Sequence, residues 1–233
     1  MLTVSHDVAS VESDLTAGRV ACPGCGGRLR PWGWARQRSI RHGVGPDWSG
    51  LEHRPRRGRC SGCLSTHVLL DVVLAARRAD SAEVIAAAIE AKTVQGWGHR
   101  KIAAECGRPA STVRGWLRSF AAAAARIAEE FTGLVHRFAA DAASLWPKPA
   151  GGWPGAALSA LLAYAEALGG RFGQVVMVPW VRAGIAASDG RLFCSSFWSA
   201  GANTNTPLRQ EQPVGQGGVS ACHIPVAGVS TAC

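Results

Sequence analysis

Residues 21–34 read ACPGCGGRLRPWGW, and residues 60–63 read CSGC. Each stretch contains one Cys-x-x-Cys pair, and 34 residues separate the two pairs. Two such pairs supply the four thiolates of a tetrahedral zinc site, with each pair bent into a tight turn around the metal. The spacing therefore predicts a zinc ribbon held by one structural Zn²⁺ ion. The predicted ligands are Cys22, Cys25, Cys60 and Cys63.

A Cys-x-x-Cys pair can also be a redox dithiol or part of a disulfide framework. A redox centre would need one pair in a thioredoxin-like βαβ context, which the sequence does not show. The first residues, MLTVSHDVASVESD, lack the basic start and apolar run of a signal peptide, so we expect a cytoplasmic protein, in which disulfides are rare. A four-thiolate site is closed to water and is structural, not catalytic. His42, His53 and His67 are alternative ligands that we expect to be ordinary surface or structural histidines.

The chain is basic, and its charge is concentrated. Lys and Arg number 25 against 16 Asp and Glu, a formal net charge of +9. Residues 19–59 contain ten arginines and two carboxylates, so this stretch alone carries +8. Such an excess favours an anionic partner such as nucleic acid, with a solvated basic loop as the alternative. The apolar helical candidate at 156–168 is too short to span a bilayer, so we expect no membrane partner.

Residues 99–120 read HRKIAAECGRPASTVRGWLRSF and contain a second motif. Ala103 is followed by Gly107 and then by Val113. This spacing is typical of a helix-turn-helix, with a small residue where two helices cross, a glycine in the turn and a β-branched anchor on the second helix. We expect helices at 81–93, at 99–106 and from about residue 110 into the 130s.

The third predicted helix has two unlike faces at 100° per residue. Val113, Trp116, Leu117 and Phe120 form an apolar face that predicts burial. The opposite face suits a major groove, because arginine can bond guanine edges, serine can reach bases or phosphates, and glycine permits close approach. Basic residues around the turn suit phosphate contacts, whereas a plain helical hairpin with a solvated basic face is the alternative. The predicted DNA-binding residues are Arg100, Lys101, Arg108, Ser111, Thr112, Arg114, Gly115 and Arg118.

These motifs predict a small β zinc ribbon followed by a mainly α, homeodomain-like three-helix domain, with a C-terminal part that is partly disordered. We expect residues 1–18 to be frayed and Trp32, Trp34 and Trp48 to pack the ribbon core, with base stacking as the alternative. A β-prone run at 175–181 predicts a strand. The predicted segments are a ribbon at 19–75, a helix-turn-helix domain at 80–140, a linker at 141–157, a short α/β segment at 158–200 and a disordered tail at 201–233.

The four cysteines, the THVLL segment after them and GHRKIAAECGRPASTVRGWLR resemble bacterial zinc-ribbon plus helix-turn-helix proteins linked with insertion elements. Many of those proteins belong to a domain family of unknown function, and their DNA-binding halves are similar to N-terminal regions of several transposases. The resemblance covers about residues 20–140 and implies DNA binding associated with a mobile element. Transposases of that kind continue into an RNase H-like domain with three metal-binding carboxylates. After the linker this chain has only Glu166, Asp189 and Glu211, so we expect no strand cleavage.

The leading hypothesis is a sequence-specific, non-catalytic DNA-binding protein that acts as an accessory factor in transposition or as a transcription regulator. Its expected partners are double-stranded DNA and, in addition, a transposase or a second copy of the chain. We expect it in the cytoplasm, associated with the nucleoid. The alternatives are the DNA-binding fragment of a transposase or recombinase, which is an enzyme, and a zinc-dependent protein-interaction module.

Overall fold

The structure is a computed structural model that describes residues 2–5, 7–45, 48–171 and 179–198. The first third of the chain is mainly β and the remainder is helical. The strands are β1 (Leu2–Val4), β2 (Leu29–Trp34), β3 (Arg38–His42), β4 (Ser49–His53), β5 (Arg56–Cys60) and β6 (Thr66–Asp71). The helices are α1 (Val8–Thr16), α2 (Ala82–Thr93), α3 (His99–Cys106), α4 (Ala110–Phe138), α5 (Gly152–Arg171), α6 (Trp180–Ala187) and α7 (Ser195–Trp198), with a 3₁₀ turn at Ala143–Leu145.

Four strands form one sheet in the order β1-β6-β5-β2, in which β1 runs parallel to β6 and the other pairs are antiparallel. Side chains alternate between the two faces of a strand. In this sheet a cluster of buried apolar side chains lies on one of the two faces. Leu29 on β2 pairs with Cys60 on β5, and Leu69 on β6 is buried beside them. Helix α1 covers this face with Leu15, which is fully buried. We call this face the inner face of the ribbon sheet.

The expectation that residues 1–18 are frayed is wrong for the residues of this stretch that the structure describes. Strand β1 pairs with β6, and α1 packs on the inner face. The Asp7 carboxylate accepts hydrogen bonds from the backbone N–H groups of Ala9 and Ser10, which caps the start of α1. Val11 and Leu15 lie four residues apart and are both buried. An Asp cap followed by apolar residues at this spacing is a sequence signal that predicts a helix at this position.

Strands β3 and β4 form a separate hairpin beside the main sheet. Ile40 on β3 is buried against Leu70 on β6 and against Val73 and Leu74, which follow it. The hairpin therefore connects the ribbon sheet to the segment that leads into the helices.

Helices α2, α3 and α4 lie where the sequence predicts helices. Gly107 ends α3 in the left-handed conformation, with φ of 62°, and α4 begins three residues later at Ala110. Glycine adopts this conformation without the steric cost of a side chain, which explains the sharp turn. Ile102 and Cys106 on α3 and Val113 on α4 are buried in the shared helical core.

The C-terminal half differs from the predicted linker and α/β segment. Helix α5 begins at Gly152, inside the predicted linker at 141–157, and packs along α4 through Leu158 and Leu161. The predicted strand at 175–181 lies largely outside the described residues, and its last two residues belong to α6, which follows Pro179. Proline is readily accommodated at a helix start, and this helix buries Trp180, Val181 and Ile185 on one side. The predicted disordered tail at 201–233 also lies outside the described residues.

A buried carboxylate joins the ribbon half to the helical half. Asp80, just before α2, accepts a hydrogen bond from Arg41 of β3 at 2.8 Å and another from Arg108 in the α3–α4 turn at 2.6 Å. The side chains of Arg108 and Asp80 are only 1% and 3% exposed. The Arg108 guanidinium also donates to the carbonyl oxygens of Cys106 and Gly43, so each of its three nitrogen atoms makes a hydrogen bond. We call this network the Asp80 junction.

We expect Asp80→Ala to lower the free energy of unfolding by about 3–5 kcal/mol, because it leaves a buried Arg108 charge without its partner. Asp14→Ala is the matched control: Asp14 also pairs with an arginine, at 2.7 Å, but that arginine is 57% exposed. Exposed pairs contribute under about 1 kcal/mol. Urea unfolding followed by circular dichroism measures both values. Equal losses for the two variants would contradict the assignment of the junction as a structural centre.

Candidate metal centre and basic surfaces

The four predicted cysteines meet at one end of the ribbon sheet. Their sulfur atoms all lie within 4.8 Å of one another, with Cys22 Sγ 3.7 Å from Cys63 Sγ and Cys25 Sγ 3.4 Å from Cys60 Sγ. A tetrahedron with Zn–S bonds of about 2.3 Å has sulfur–sulfur edges of about 3.8 Å. The cluster therefore fits a four-coordinate metal ion, and Zn²⁺ is the ion that this donor set favours.

Two backbone turns bring the thiols together. In the first turn Cys22 N–H donates to the Gly27 carbonyl at 2.7 Å and Gly26 N–H donates to the Cys22 carbonyl at 2.9 Å. In the second turn Cys60 N–H donates to the Ser65 carbonyl at 2.9 Å. Each pair supplies one buried and one exposed thiol, since Cys22 and Cys60 are buried whereas their partners are exposed.

Glycine makes room for the sulfur atoms at Gly27. A Cβ atom added there would lie 3.0 Å from Cys60 Sγ and 3.3 Å from Cys25 Sγ. Distances of this size are shorter than most Cβ contacts in proteins, and here the neighbours are two of the four cysteine sulfur atoms. The chain is therefore shaped around the cluster, which supports a metal-binding role for it.

Hydrogen bonds favour the thiolate form at two of the four cysteines. Bonds from the Ser65 side chain and backbone lower the pKa of the Cys63 thiol to about 6. The backbone N–H groups of Cys63 and Gly62 lower the pKa of Cys60 as well. A thiolate is the form that ligates a metal. The pKa of Cys25, in contrast, is raised to about 11, because the Gly27 N–H that lowers it is outweighed by the neighbouring thiols of Cys60, Cys63 and Cys22 and by burial. Ser65 was not identified from the sequence, although it lies only two residues after Cys63.

The histidines that the sequence offered as alternative ligands have other positions. His67 Nε2 lies 3.4 Å from Cys22 Sγ, at hydrogen-bonding distance from that sulfur, and burial lowers its pKa. His42 Nδ1 lies 3.2 Å from Ser81 Oγ, at the junction with α2. Outer hydrogen bonds of the kind that His67 offers orient metal ligands. Among the described residues, the cluster of three or more metal-type ligands consists of the four cysteines alone.

Helix α4 shows the two faces expected from its sequence. Val113, Trp116 and Phe120 are buried, and Leu117 is half-buried against the same core. The opposite face is open: a Cβ added at Gly115 would meet no atom within 4 Å. Thr112 is half-buried at the start of the helix, and the exposed residues of this face are Ser111, Arg114, Gly115 and Arg118.

Two of the three basic residues predicted around the turn are accessible. Arg100 and Lys101 are exposed on α3, and the Lys101 ammonium lies 3.8 Å from the centre of the Trp97 ring. The prediction for Arg108 is wrong, because its side chain is buried in the Asp80 junction and cannot reach a phosphate. A carboxylate 28 residues upstream determines this role, and no local pattern around Arg108 reveals it.

The basic stretch at 19–59 is partly neutralised by ion pairs. Asp14 pairs with Arg19, Glu12 with Arg56 and Asp80 with Arg41. All three carboxylates lie outside the stretch in sequence, so its net charge of +8 overstates the charge that it presents to a partner. The exposed arginines of the stretch without a salt bridge among the described residues are Arg28, Arg30, Arg36, Arg54 and Arg57.

The expectation that three tryptophans pack the ribbon core is wrong. Trp32, Trp34 and Trp48 are 53%, 44% and 43% exposed. The inner face has no room for an indole, because even a Cβ at Gly58 would lie 3.3 Å from Leu15 and from Leu29. Each tryptophan instead contacts a guanidinium: Arg59 lies 4.4 Å, Arg56 4.7 Å and Arg108 5.3 Å from the respective ring centres.

The fold and the cluster define a protein with a small β-sheet region that carries a four-cysteine, metal-type centre, followed by several helices. Comparison of the chain with models of known families, with curated proteins and with solved structures finds no match. Within the part of the chain that the structure describes, no helix is both long and apolar enough to cross a membrane.

Cys60→Ser is expected to abolish stoichiometric zinc and to unfold residues 20–75, because three thiolates and a hydroxyl hold Zn²⁺ weakly and the ribbon core is small. Cys194→Ser removes a thiol outside the cluster and should keep the metal. Metal analysis of purified protein and amide hydrogen exchange measure the two effects. Unchanged zinc content in Cys60→Ser would refute the metal centre.

Gly27→Ala is expected to weaken zinc binding on the order of tenfold, because the added methyl group displaces Cys60 and Cys25 from their positions. Gly24→Ala is the control, since a Cβ there would lie 3.9 Å from Cys22 Sγ, an ordinary contact. Competition with a chromogenic chelator measures both affinities. A loss of the same size in the two variants would show that Gly27 has no special relation to the cluster.

Proposed function

We propose that this chain is a sequence-specific, non-catalytic DNA-binding protein that reads duplex DNA with the N-terminal half of α4. The observation that carries the proposal is the exposed face of α4, where Arg114 and Arg118 flank Gly115. The major groove is about 12 Å wide and admits a helix of this kind. Arginine can donate two hydrogen bonds to one guanine, and the missing side chain at Gly115 lets the helix backbone approach the bases closely.

The arrangement of α3 and α4 supports a helix-turn-helix reading of this surface. The α3–α4 turn is short, begins with the left-handed Gly107 and is held by the Asp80 junction. Arg100 and Lys101 are exposed on α3, where a preceding helix contacts the phosphate backbone in such motifs. With α2 packed on both helices, the three form a homeodomain-like unit in this proposal.

The proposed metal is one structural Zn²⁺ ion held by the four cysteines. Two nearby features suit a role in presenting charge to DNA: the exposed Arg28 follows the first cysteine turn directly, and Arg57 lies on the neighbouring strand β5. The ion would close both turns and hold Arg28 and strand β5 in place. Phosphate contacts of this kind add affinity and leave the choice of sequence to α4.

In this proposal the protein serves transposition as an accessory factor or regulates transcription, with duplex DNA as its partner and the nucleoid as its place of action. The resemblance of the cysteine pairs and of residues 99–120 to proteins linked with insertion elements supports the first role. A non-catalytic role fits the surroundings of two carboxylates: Asp189 pairs with Arg191 at 3.4 Å, and Glu166 is exposed on α5.

Arg114→Ala is expected to cost about 1–3 kcal/mol at the preferred site and to relax the choice of base there. Arg137→Ala, at the other end of the same helix, removes an exposed charge of the same kind and should leave the preference unchanged. Selection from a random duplex pool identifies the site, and fluorescence anisotropy measures the affinities. Equal weakening on all sequences would show that Arg114 contacts only phosphate.

Duplex binding should fall steeply with salt, because each neutralised phosphate releases condensed counterions and contributes about −0.9 to the slope of log K against log salt. Arg100→Ala and Lys101→Ala should each reduce the slope by about one while keeping the sequence preference. Titrations at several salt concentrations give the slopes. Binding that is weak and insensitive to salt would overturn the proposed function.

A further inference from the structure

The ribbon sheet has a second face, opposite the one that α1 covers, which we call the outer face. Arg30 on β2, Arg59 on β5 and Thr66 on β6 lie side by side across three strands of this face. Arg57 lies in the next row, opposite Val68. Arg57 and Thr66 are exposed and Arg59 is half-exposed, whereas the exposed Arg30 donates a hydrogen bond to the Thr16 carbonyl at the end of α1. The outward positions of these three strands also include Leu70, which is buried under Ile40 of the β3–β4 hairpin. The part of the outer face that the hairpin leaves open contains arginine, threonine and valine and no carboxylate.

A β-bulge adds one tryptophan to this face and excludes the other. The register of β2 against β5 shifts between Pro31 and Gly33, where Gly33 has φ of 109°, so Trp32 has no partner on β5. Trp32 contacts Arg59 and belongs to the outer face. Trp34 comes after the bulge and contacts Arg56, which pairs with Glu12 on α1, so Trp34 lies on the α1 side. Without the bulge the two rings would share a face.

The chemistry of the outer face suits unpaired nucleotides. Trp32 is 53% exposed, and the guanidinium of Arg59 lies over its ring at 4.4 Å. The bases of a duplex are stacked on one another inside the helix and cannot reach an indole on a sheet surface. The bases of a single strand can stack on it while arginines contact the phosphates, and sheets with aromatic and basic side chains bind single strands in this way.

We propose that the outer face of the ribbon sheet is a binding site for single-stranded DNA, in which a base stacks on Trp32 and the phosphates contact Arg57 and Arg59. This site is separate from the duplex-reading face of α4 and shares with the proposed duplex contacts only the phosphate-binding Arg57. The choice of DNA over RNA rests on the proposed function. Together the two surfaces would let the protein hold a duplex and an adjacent unpaired strand.

The test uses the full-length, zinc-loaded protein and a fluorescein-labelled oligothymidine of about 12 nucleotides, a length within the range that such surfaces cover. Trp32→Ala is expected to weaken binding about tenfold, the usual effect of losing one stacking partner. Trp34→Ala is the matched control, because that ring has a similar exposure and also contacts an arginine, but lies on the α1 side. It should leave the affinity unchanged. Zinc content and circular dichroism show whether each variant is folded.

Salt dependence tests the phosphate contacts. Arg57→Ala should reduce the slope of log K against log salt by about 0.7, the contribution of one phosphate contact on a single strand. Arg137→Ala, which removes the same charge at the far end of α4, should not change the slope. An equal change in both variants would mean that only the net charge matters and would overturn the assignment of Arg57.

Other outcomes separate this site from the proposed function. The site is refuted if both tryptophan variants weaken the oligothymidine equally, if neither does, or if an oligouridine binds more tightly through Trp32. It is also refuted if a duplex of the same length binds with the same dependence on Trp32. Arg114→Ala should alter duplex preference and leave oligothymidine binding intact. Loss of duplex reading with retained Trp32-dependent binding would overturn the proposed function while supporting this site.

Discussion

The Asp80 carboxylate, held between Arg41 and Arg108, is the interaction on which the arrangement of the two halves depends. Arg41 belongs to the β3–β4 hairpin, and Arg108 lies in the turn that starts α4. Backbone hydrogen bonds reinforce the contact, since Arg41 N–H donates to the Ala79 carbonyl and Ser81 N–H donates to the Arg41 carbonyl. A buried charge that loses its partner is strongly unfavourable, so the junction holds α4 in one orientation relative to the ribbon. The surfaces proposed for duplex and for single strand therefore have a defined relation to each other.

The metal centre and the ribbon core are parts of one structure. Cys22 and Cys60 are ligand candidates and are also buried beside Leu15, Leu29 and Leu69. A core of this size is too small to hold a sheet by hydrophobic burial alone, and a metal ion supplies the missing stability in many small domains. The two turns have little regular secondary structure to stabilise them, so a metal ion bound by the four cysteines and the inner face would stabilise each other. Helix α1 contributes to the stability of this region because its Leu15 covers the apolar face that the strands leave open.

Local signals were sufficient wherever neighbours in sequence decide the structure. The helices α2, α3 and α4 follow from apolar spacing and from the glycine that ends α3, and the exposed face of α4 follows from its helical period. The predictions failed where a distant residue decides. The sequence predicts a phosphate contact for Arg108, but in the structure Arg108 forms a buried ion pair with Asp80. The sequence also predicts core positions for the three tryptophans, but Leu15 and Leu29 fill that space. Helix α5 occupies part of a segment whose Pro and Gly content suggests a linker, because packing on α4 outweighs that composition.

By itself the sequence determined the four-cysteine cluster, since each Cys-x-x-Cys pair forms a local turn that presents both of its thiols. It also determined which residues of α4 point away from the core, because a helix of known period orients its side chains regardless of the fold around it. Only the tertiary structure decided which charges are free: Arg19, Arg41 and Arg56 are paired with carboxylates outside the basic stretch, whereas Arg57 is exposed. The tertiary structure also separated Trp32 from Trp34, through one unpaired residue in β2. Charge pairing and sheet register arise between segments that are far apart in the chain, so no local pattern contains them.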